Sequence, residues 1–475
     1  MAKYPMKDVV VLLPGITGSV LQKDGKDVWA LNGGAAVQAL LSLGGSITGL
    51  ALDGDSPDAD DLGDGVVATR LIPDTHLIPG LWKIDGYGKV EHRLLESFDL
   101  THGKNYFPFP YDWRRDNRAH ARRLARDAPG WLDAWREESG YDDARLVLIA
   151  HSMGGIVARS FLEEHDGWRM TRRLITFGTP YRGSLNALDF LVNGMRKKLG
   201  PITLIDLTDL LRSCTSVYQL LPIYACLDRG DGTLSHLVDG DAVGDVDWER
   251  VRAAERFHRD IEDRVNEHLK DQEYLDRRYR IHPVVGIKQH TSLSARVDEN
   301  RVEMLTTYDG DDLEGDSTVP RPSATPIELS DQGVEVYAAS RHATLQNADA
   351  MLVHVEGLLR DVPTAGFREQ LVQLTVDLDD MYDVEEPVRI DVAGDQAGAA
   401  LEVLVTDLTS NEVVGQARVR TSDGPESVEF VPLPTGTYRV SVHSDTTSGE
   451  GGPPAHPVED VFVVLGATDE VRARP

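Results

Sequence analysis

The sequence lacks long apolar runs, and none approaches the roughly 20 residues that a helix needs to cross a bilayer. Its first residues, MAKYPMKDVVVLLPG, lead directly into a strand-like stretch. They show no basic and apolar leader followed by a small-residue cleavage site. We therefore expect a protein that is not secreted through a cleavable signal and that resides in the cytoplasm.

Cysteine is also scarce, because the 475 residues include only Cys214 and Cys226. Two cysteines supply neither metal-ligand spacing nor a disulfide framework. A single bridge that closes one loop is the alternative, but reduced thiols fit a cytoplasmic chain better. We expect no metal and no cofactor.

Basic residues are outnumbered, with 49 Lys and Arg against 78 Asp and Glu, which gives a formal net charge of −29. Such a chain is repelled by phosphate backbones, so nucleic acid is excluded as a partner. The same charge disfavours strong docking on anionic bilayers. Transient contact with a membrane surface is compatible with it. The acidity is otherwise typical of a well-solvated surface.

The arrangement of apolar stretches predicts two domains, which the length of the chain also favours. From residue 8 to 180, strand-like runs alternate with helical patterns, which indicates an α/β fold with a mostly parallel central sheet and helices on both faces. Residues 30–65 mix small and apolar residues and are interpreted as a lid, with a surface excursion as the alternative. Residues 184–279 interrupt the alternation and are interpreted as a cap that includes a long charged helix over 246–276. We assign residues 1–364 to this domain.

Residues 365–475 form the second predicted domain. Short alternating stretches such as EPVRIDVAG and GTYRVSVHS are separated by turn signals, which is typical of a β-sandwich of about 100 residues. The stretch PLPTGTYRVSV is similar to the late hairpin of immunoglobulin-like or carboxypeptidase-regulatory-like modules. It contains no catalytic cluster, so we expect this domain to stabilise the protein or to bind a protein partner.

The stretch RLVLIAHSMGG, residues 145–155, has the pattern of a nucleophile elbow. A buried strand leads into a tight turn at Ser152, and a helical pattern follows. Such a turn presents the serine hydroxyl and aims the N–H of Met153 at a bound carbonyl oxygen, and the N–H of Ile16 in the turn PGITGS is the second expected donor. A core serine on a glycine-rich turn is the alternative.

Two further residues complete the pattern expected of a catalytic serine. Asp316, in the turn EGDSTVP, and His342, in SRHATLQ, each follow a predicted strand. The chain order of serine, acid and histidine is the one used by α/β-hydrolases. His342 would take the proton of Ser152, and Asp316 would orient the imidazole, with the hydroxyls of Ser317 and Thr318 holding the carboxylate.

Two other segments are expected to support the site. The stretch PYDWR includes Tyr111, Asp112, Trp113 and Arg114, and its aromatic and proline density predicts a rigid corner in which Asp112 pairs with Arg114. The turn GTPYRGS places Gly178 and Thr179 at the same edge of the sheet. Both are interpreted as scaffold for the wall of the site.

These motifs together resemble the lecithin:cholesterol acyltransferase family, which includes the lysosomal phospholipases. The resemblance rests on VLLPGITGSVL, PYDWR, AHSMGG, TFGTPYRGS, SVYQLLP and GDSTVP, and it spans roughly residues 8–360. It implies an α/β-hydrolase fold, a nucleophile at Ser152 with Asp316 and His342 as partners, and transfer of an acyl group from a lipid ester to water or an alcohol. The chain departs from the family in its missing secretion signal, its missing early cysteine pair and its different cap, so a sterol acceptor is not expected.

Three hypotheses about function follow. The first is a metal-independent serine acyl hydrolase or O-acyltransferase that acts on a lipid ester, either a phospholipid or an acylglycerol. The second is a small-molecule esterase or thioesterase, which would differ in its cleft. The third is a catalytically idle protein that recruits a partner through the β-domain.

Overall fold

The computed structural model describes residues 3–30, 49–73, 76–78, 82–199, 202–239, 242–361, 371–445 and 452–466. None of the helices in these ranges combines the length and the apolar character of a bilayer-spanning segment. The strands are, in chain order, β1 (Val9–Leu13), β2 (Ser19–Lys23), β3 (Lys26–Trp29), β4 (Val66–Leu71), β5 (His76–Ile78), β6 (Trp82–Ile84), β7 (Tyr106–Pro108), β8 (Leu146–His151), β9 (Thr171–Phe177), β10 (Arg196–Leu199), β11 (Ile202–Asp206), β12 (Leu227–Asp228), β13 (Leu234–Ser235), β14 (Arg280–Gly286), β15 (Ser294–Asp298), β16 (Arg301–Leu305), β17 (Val336–Ala338), β18 (Leu374–Asp377), β19 (Met381–Asp383), β20 (Val388–Gly394), β21 (Ala400–Asp407), β22 (Glu412–Arg420), β23 (Glu426–Phe430), β24 (Gly436–Ser444) and β25 (Val458–Leu465).

The α-helices are fewer and vary widely in length. They are α1 (Gly88–Ser97), α2 (Asn117–Ser139), α3 (Met153–Glu164), α4 (Leu185–Val192), α5 (Thr208–Ser213), α6 (Thr215–Tyr218), α7 (Trp248–His268), α8 (Gln272–Arg277) and α9 (Asp349–Leu359).

A six-stranded sheet forms the centre of the first domain, in the order β17-β14-β9-β8-β1-β7. Every pair of neighbours in it runs parallel. Strands β1 and β8 are buried along their whole length because helices cover both faces of the sheet. The predicted α/β-hydrolase fold, with a mostly parallel sheet, is confirmed.

The carboxyl ends of neighbouring parallel strands lie at one edge of this sheet. The turn after β1, Ser152 after β8 and Gly178 after β9 therefore come together there. This edge is the place where the site is built.

The predicted lid near the start of the chain is only partly described. Half of the predicted lid, residues 31–48, lies outside the described residues. Residues 49–65 contain no helix or strand, and their aspartates pair with Arg114, Arg115 and Arg122. Strand β4 follows, but it pairs with β2 in a separate antiparallel sheet.

In the segment 184–279, the prediction of a single helix over 246–276 is wrong. The chain forms α7 and α8 instead, and Asp271 separates them by accepting a hydrogen bond from the N–H of Glu273 at the start of α8. Helix α7 packs against the elbow helix α3.

Both cysteines lie in this segment as free buried thiols, and burial raises the pKa of each to about 12.

The C-terminal strands form two sheets, β18-β20-β23 and β19-β25-β24-β21-β22. Their inner faces share an apolar core that includes Ile390, Val403 and Phe462. Each predicted strand of this region is present, so the β-sandwich in the predicted fold is confirmed. The predicted boundary at residues 364 and 365 lies outside the described residues.

Candidate active site

Ser152 occupies the turn between β8 and α3 in a strained conformation, with φ 51° and ψ −126°. The turn is tight because the start of α3 crosses close to the end of β1. A Cβ atom on Gly154 would lie 2.4 Å from the carbonyl oxygen of Pro14, and one on Gly155 would lie 2.1 Å from Thr179 Oγ1. Both glycines of the motif are therefore required by packing.

The structure brings together the three side chains that the sequence predicts as a triad. Ser152 Oγ lies 3.0 Å from His342 Nε2, and His342 Nδ1 lies 2.7 Å from Asp316 Oδ2. All three residues are at most 5% exposed. This is hydrogen-bond distance at both contacts, which a serine nucleophile with a histidine base requires.

The second oxygen of Asp316 is held by the backbone. Oδ1 accepts hydrogen bonds from the N–H groups of Thr318 (3.0 Å) and Val319 (2.7 Å). The prediction that the hydroxyls of Ser317 and Thr318 hold this carboxylate is therefore wrong. Backbone donors are less able to rotate away, so Oδ2 stays directed at the imidazole.

Gly178 and Thr179 stand directly beside these groups. Gly178 has φ +53°, and a Cβ there would lie 2.6 Å from Asp316 Oδ2 and 2.9 Å from His342 Nδ1. Thr179 Oγ1 donates to the carbonyl oxygen of Ser152 at 3.0 Å. The two residues give the imidazole room and fix the peptide group of Ser152.

The two predicted oxyanion donors, the N–H groups of Ile16 and Met153, belong to segments that adjoin Ser152. Met153 is the first residue of α3, and Ile16 is in the turn that approaches the serine, since a Cβ on Gly15 would lie 2.9 Å from Ser152 Cβ. Neither N–H has an acceptor among the described residues. Buried N–H groups are nearly always paired, so two free ones next to a nucleophile are suited to bind a ligand oxygen.

A hydrogen-bond chain that we did not predict joins this turn to the loop of His342. The N–H of Gly15 donates to Tyr87 Oη (2.6 Å), which lies 3.0 Å from His151 Nδ1, and His151 Nε2 lies 3.1 Å from the carbonyl oxygen of His342. This series of hydrogen bonds begins at an N–H group, which can only donate, and ends at a carbonyl oxygen, which can only accept. The donor and the acceptor of each bond between them are thereby determined. Tyr87 therefore donates to Nδ1 of His151, which carries its proton on Nε2.

Burial keeps both side chains of this hydrogen-bond chain uncharged. It lowers the pKa of His151 well below the usual imidazole range, and the neighbouring His342 lowers it further. It also raises the pKa of Tyr87 above the usual phenol range. The AHSMGG motif contains His151, but nothing in the sequence pattern shows that Tyr87 contacts it.

The PYDWR residues support the site without lining it. Tyr111 Oη donates to the carbonyl oxygen of Pro14 (2.6 Å), which holds the turn after β1. Trp113 packs against Trp29. Arg114 pairs with Asp112 through Nε (2.9 Å) and Nη2 (2.6 Å), as the sequence suggested.

A cavity of about 250 Å³ opens at Ser152 and His342. One part of its lining is apolar and comes from Pro180, Ala187, Phe190, Leu220, Val319 and Ala343. Another part is charged and comes from Lys83, Asp189, Arg341, Asp380 and Asp460. Asp380 and Asp460 belong to the C-terminal domain, which we had not expected to reach the site.

Residues 83–308 match the family model described as lecithin:cholesterol acyltransferase (LCAT). The matched range is a little under half of the chain, which is similar to this family over that part. The match ends before Asp316 and His342, so their placement in this LCAT-like chain rests on the geometry above.

A curated relative is the human lysosomal phospholipase A and acyltransferase, which is 30% identical over 145 residues, covering 28% of this chain and 33% of the relative. The aligned part of the chain thus spans about a third of that relative's length.

Two solved structures are similar at low identity. The Tle4–Tli4 complex is 15% identical with a TM-score of 0.45, covering 77% of this chain and 100% of the matched chain. The mature lipase BlEst2 of Bacillus licheniformis is 14% identical with a TM-score of 0.36, covering 75% and 94%. The order of the parallel strands in the central sheet identifies the fold.

Proposed function

We propose that this LCAT-like chain is a serine-dependent acyl hydrolase or O-acyltransferase that acts on lipid esters. The observation that carries the proposal is the continuous contact from Ser152 Oγ through His342 to Asp316, beside two N–H groups without acceptors among the described residues. The similarity to the human lysosomal phospholipase A and acyltransferase supports the same chemistry.

The reaction proceeds through an acyl-serine. His342 Nε2 takes the proton of Ser152 Oγ as this oxygen attacks the ester carbonyl, and the carbonyl oxygen becomes an oxyanion next to the N–H groups of Ile16 and Met153. His342 then gives its proton to the departing alcohol as the ester C–O bond breaks. Water or a second alcohol attacks the acyl-serine by the reverse sequence, and Ser152 regains its proton.

Asp316 contributes by stabilising the imidazolium that forms in both steps. Its Oδ1 is occupied by two backbone donors, so Oδ2 remains on Nδ1 and the other nitrogen faces the serine. The apolar part of the cavity supports an acyl chain as ligand, because each buried methylene contributes ~0.8 kcal/mol.

A fluorophosphonate probe tests the nucleophile. We expect the probe to label the wild-type protein and not Ser152→Ala, with a loss of turnover on the order of 10⁶. Ser160→Ala is the matched control, because Ser160 lies on the same helix α3 and bonds to Glu164 instead of His342. Folded wild-type protein that is not labelled, or equal labelling of Ser152→Ala, would refute the proposal.

A second candidate, a small-molecule esterase or thioesterase, is favoured by the charged part of the cavity lining. A series of esters of increasing acyl length separates the two, because rates that fall steeply beyond short acyl groups would favour the small-molecule enzyme. Incubating wild-type and Ser152→Ala protein with a membrane lipid extract and comparing the lipids by mass spectrometry identifies donor and acceptor together.

The cytoplasmic location, transient membrane contact and a protein partner of the β-domain stay predictions.

A further inference from the structure

The loop that carries His342 is held on one side by the first domain. The N–H of His342 donates to the carbonyl oxygen of Asp316 at 2.7 Å, and its own carbonyl oxygen accepts from His151 Nε2 at 3.1 Å. These bonds fix the peptide groups of His342. The neighbouring residues of the loop are fixed by a different part of the molecule.

Two neighbours of His342 bond to the C-terminal β-domain. Arg341 Nη1 donates to the carbonyl oxygen of Val376 in β18 (2.6 Å), and its Nε lies 3.0 Å from Asp460 Oδ2 in β25. Thr344 Oγ1 donates to the carbonyl oxygen of Glu459, also in β25, at 3.1 Å. The loop is therefore anchored to the β-domain on both sides of His342.

Asp460 is the centre of a buried charge cluster in which the two domains meet. Its side chain has no exposed area, and Oδ2 lies 2.9 Å from Lys83 Nζ as well as close to Arg341. Lys83 Nζ also lies 2.6 Å from Asp380 Oδ1. Strand β25 is otherwise mostly apolar, so the buried carboxylate of Asp460 is costly unless the cationic side chains of Lys83 and Arg341 stay paired with it. Asp460 therefore strongly restricts where Arg341 can lie.

All four residues of this charge cluster line the cavity that opens at Ser152 and His342. The β-domain thus contributes Asp380 and Asp460 to the lining of the catalytic cavity itself.

We infer that the C-terminal β-domain is a working part of the active site, and that Asp460 is a positioning residue that acts through Arg341 to keep His342 at hydrogen-bond distance from Ser152. This inference rests on the proposed function, because it concerns the base of that reaction. A domain that only stabilised the chain would have no effect on turnover beyond its effect on folding.

Asp460→Asn in the full-length protein tests the inference. Asparagine keeps the shape of the side chain but weakens its hold on Arg341. With p-nitrophenyl butyrate as substrate, we expect kcat to fall about 10- to 100-fold while KM changes less than about twofold, because displacement of the base affects proton transfer and not binding.

Asp445→Asn is the matched control. Asp445 is also an aspartate of the β-domain, with a side chain 2% exposed and Oδ2 3.1 Å from Arg418 Nε, and it is not among the residues lining the cavity. We expect this variant to have a lower thermal midpoint and an unchanged kcat. An equal fall of kcat in both variants would show that the effect is one of general stability and would overturn the inference.

Arg341→Lys provides a second variant in the event that Asp460→Asn does not fold. Lysine keeps the positive charge but cannot contact both Val376 and Asp460 as the guanidinium does, so we expect a smaller fall in kcat with KM unchanged. A folded Asp460→Asn or Arg341→Lys protein with wild-type kcat would overturn the inference. Wild-type protein that neither reacts with the fluorophosphonate nor hydrolyses the ester would refute the proposed function instead, so the two failures are distinguishable.

Discussion

Tyr87 shows how a single hydroxyl can serve two parts of a site. It accepts from the N–H of Gly15 and donates to His151, which in turn donates to the carbonyl oxygen of His342. The turn that carries the proposed oxyanion donor and the loop that carries the proposed base are thus linked through uncharged groups. Such a link holds both at fixed positions without adding a charge next to the imidazole.

Tyr87→Phe is expected to lower kcat about 10-fold and to reduce the free energy of unfolding by about 1–3 kcal/mol. The variant leaves the N–H of Gly15 buried without an acceptor and Nδ1 of His151 without a donor. Ester hydrolysis and urea unfolding measure the two effects. Tyr438→Phe is the control, because it removes one hydroxyl bond, to the carbonyl oxygen of Pro434, inside the β-domain. Wild-type kcat in Tyr87→Phe would show that the link has no part in catalysis.

At the scale of elements, the crossing of α3 over the end of β1 determines the geometry of the elbow. The N-terminal turn of α3 lies so near the backbone of Leu13 and Pro14 that no side chain fits at Gly154. This close approach brings the turn that contains Ile16 next to Ser152, and Met153 follows Ser152 at the start of α3. Gly154 and Gly155 are thus needed for packing, because only residues without a side chain fit this close to the end of β1 and to Thr179.

Gly154→Ala is expected to lower the free energy of unfolding by about 3 kcal/mol, because the new methyl group meets backbone carbonyl groups that cannot rotate away. Gly130→Ala is the matched control. Gly130 lies in the middle of α2, and a Cβ there would contact nothing, so alanine should raise the free energy of unfolding by roughly 0.5–1 kcal/mol. Urea unfolding of both variants measures the difference. Equal stability of Gly154→Ala and wild type would contradict the close approach.

For the whole molecule, a buried and a half-buried histidine make stability depend on pH. Burial lowers the pKa of His258 to about 4, and it lowers that of His282 to about 4 as well. The unfolded chain binds protons at these side chains below about pH 6.5, while the folded chain does not. The free energy of unfolding therefore falls as the pH decreases from about 6.5 to about 4.

His268 acts in the opposite direction. Its hydrogen bond to Glu163 raises its pKa, so the stability that it contributes is complete below about pH 6.5 and is lost as the pH rises through its folded pKa. His268 therefore makes the free energy of unfolding fall as the pH rises above about 6.5, in a pH range separate from that of His258 and His282.

His258→Gln is expected to make the protein less sensitive to acid. Glutamine can still donate to the carbonyl oxygen of Gln219, as His258 Nε2 does at 2.7 Å, but it does not titrate. The wild type should lose about 3 kcal/mol between pH 6.5 and 4 through this histidine, and the variant should not. Urea unfolding at pH 7, 5.5 and 4.5 measures the slopes, and parallel slopes for both proteins would contradict the prediction.

Much of the fold could be predicted from the sequence because its signals are local. The apolar runs of β1 and β8, the glycines after Ser152 and the alternating strands beyond residue 370 each depend on neighbours in the chain. The order of Ser152, Asp316 and His342 at strand ends implied that they would meet, since parallel strands end at one edge of a sheet. The structure places them within hydrogen-bond distance.

Other features were decided only by the tertiary structure, because they join residues far apart in the chain. Lys83 and Asp460 are 377 residues apart, and no local pattern shows that they share a cavity with Ser152. The backbone groups that hold Asp316 and the hydroxyl that links Gly15 to His151 depend on how loops pack, and side-chain type does not reveal this. The sequence by itself thus determined the sheet, the sandwich and the order of the candidate residues, whereas packing between domains decided what surrounds them.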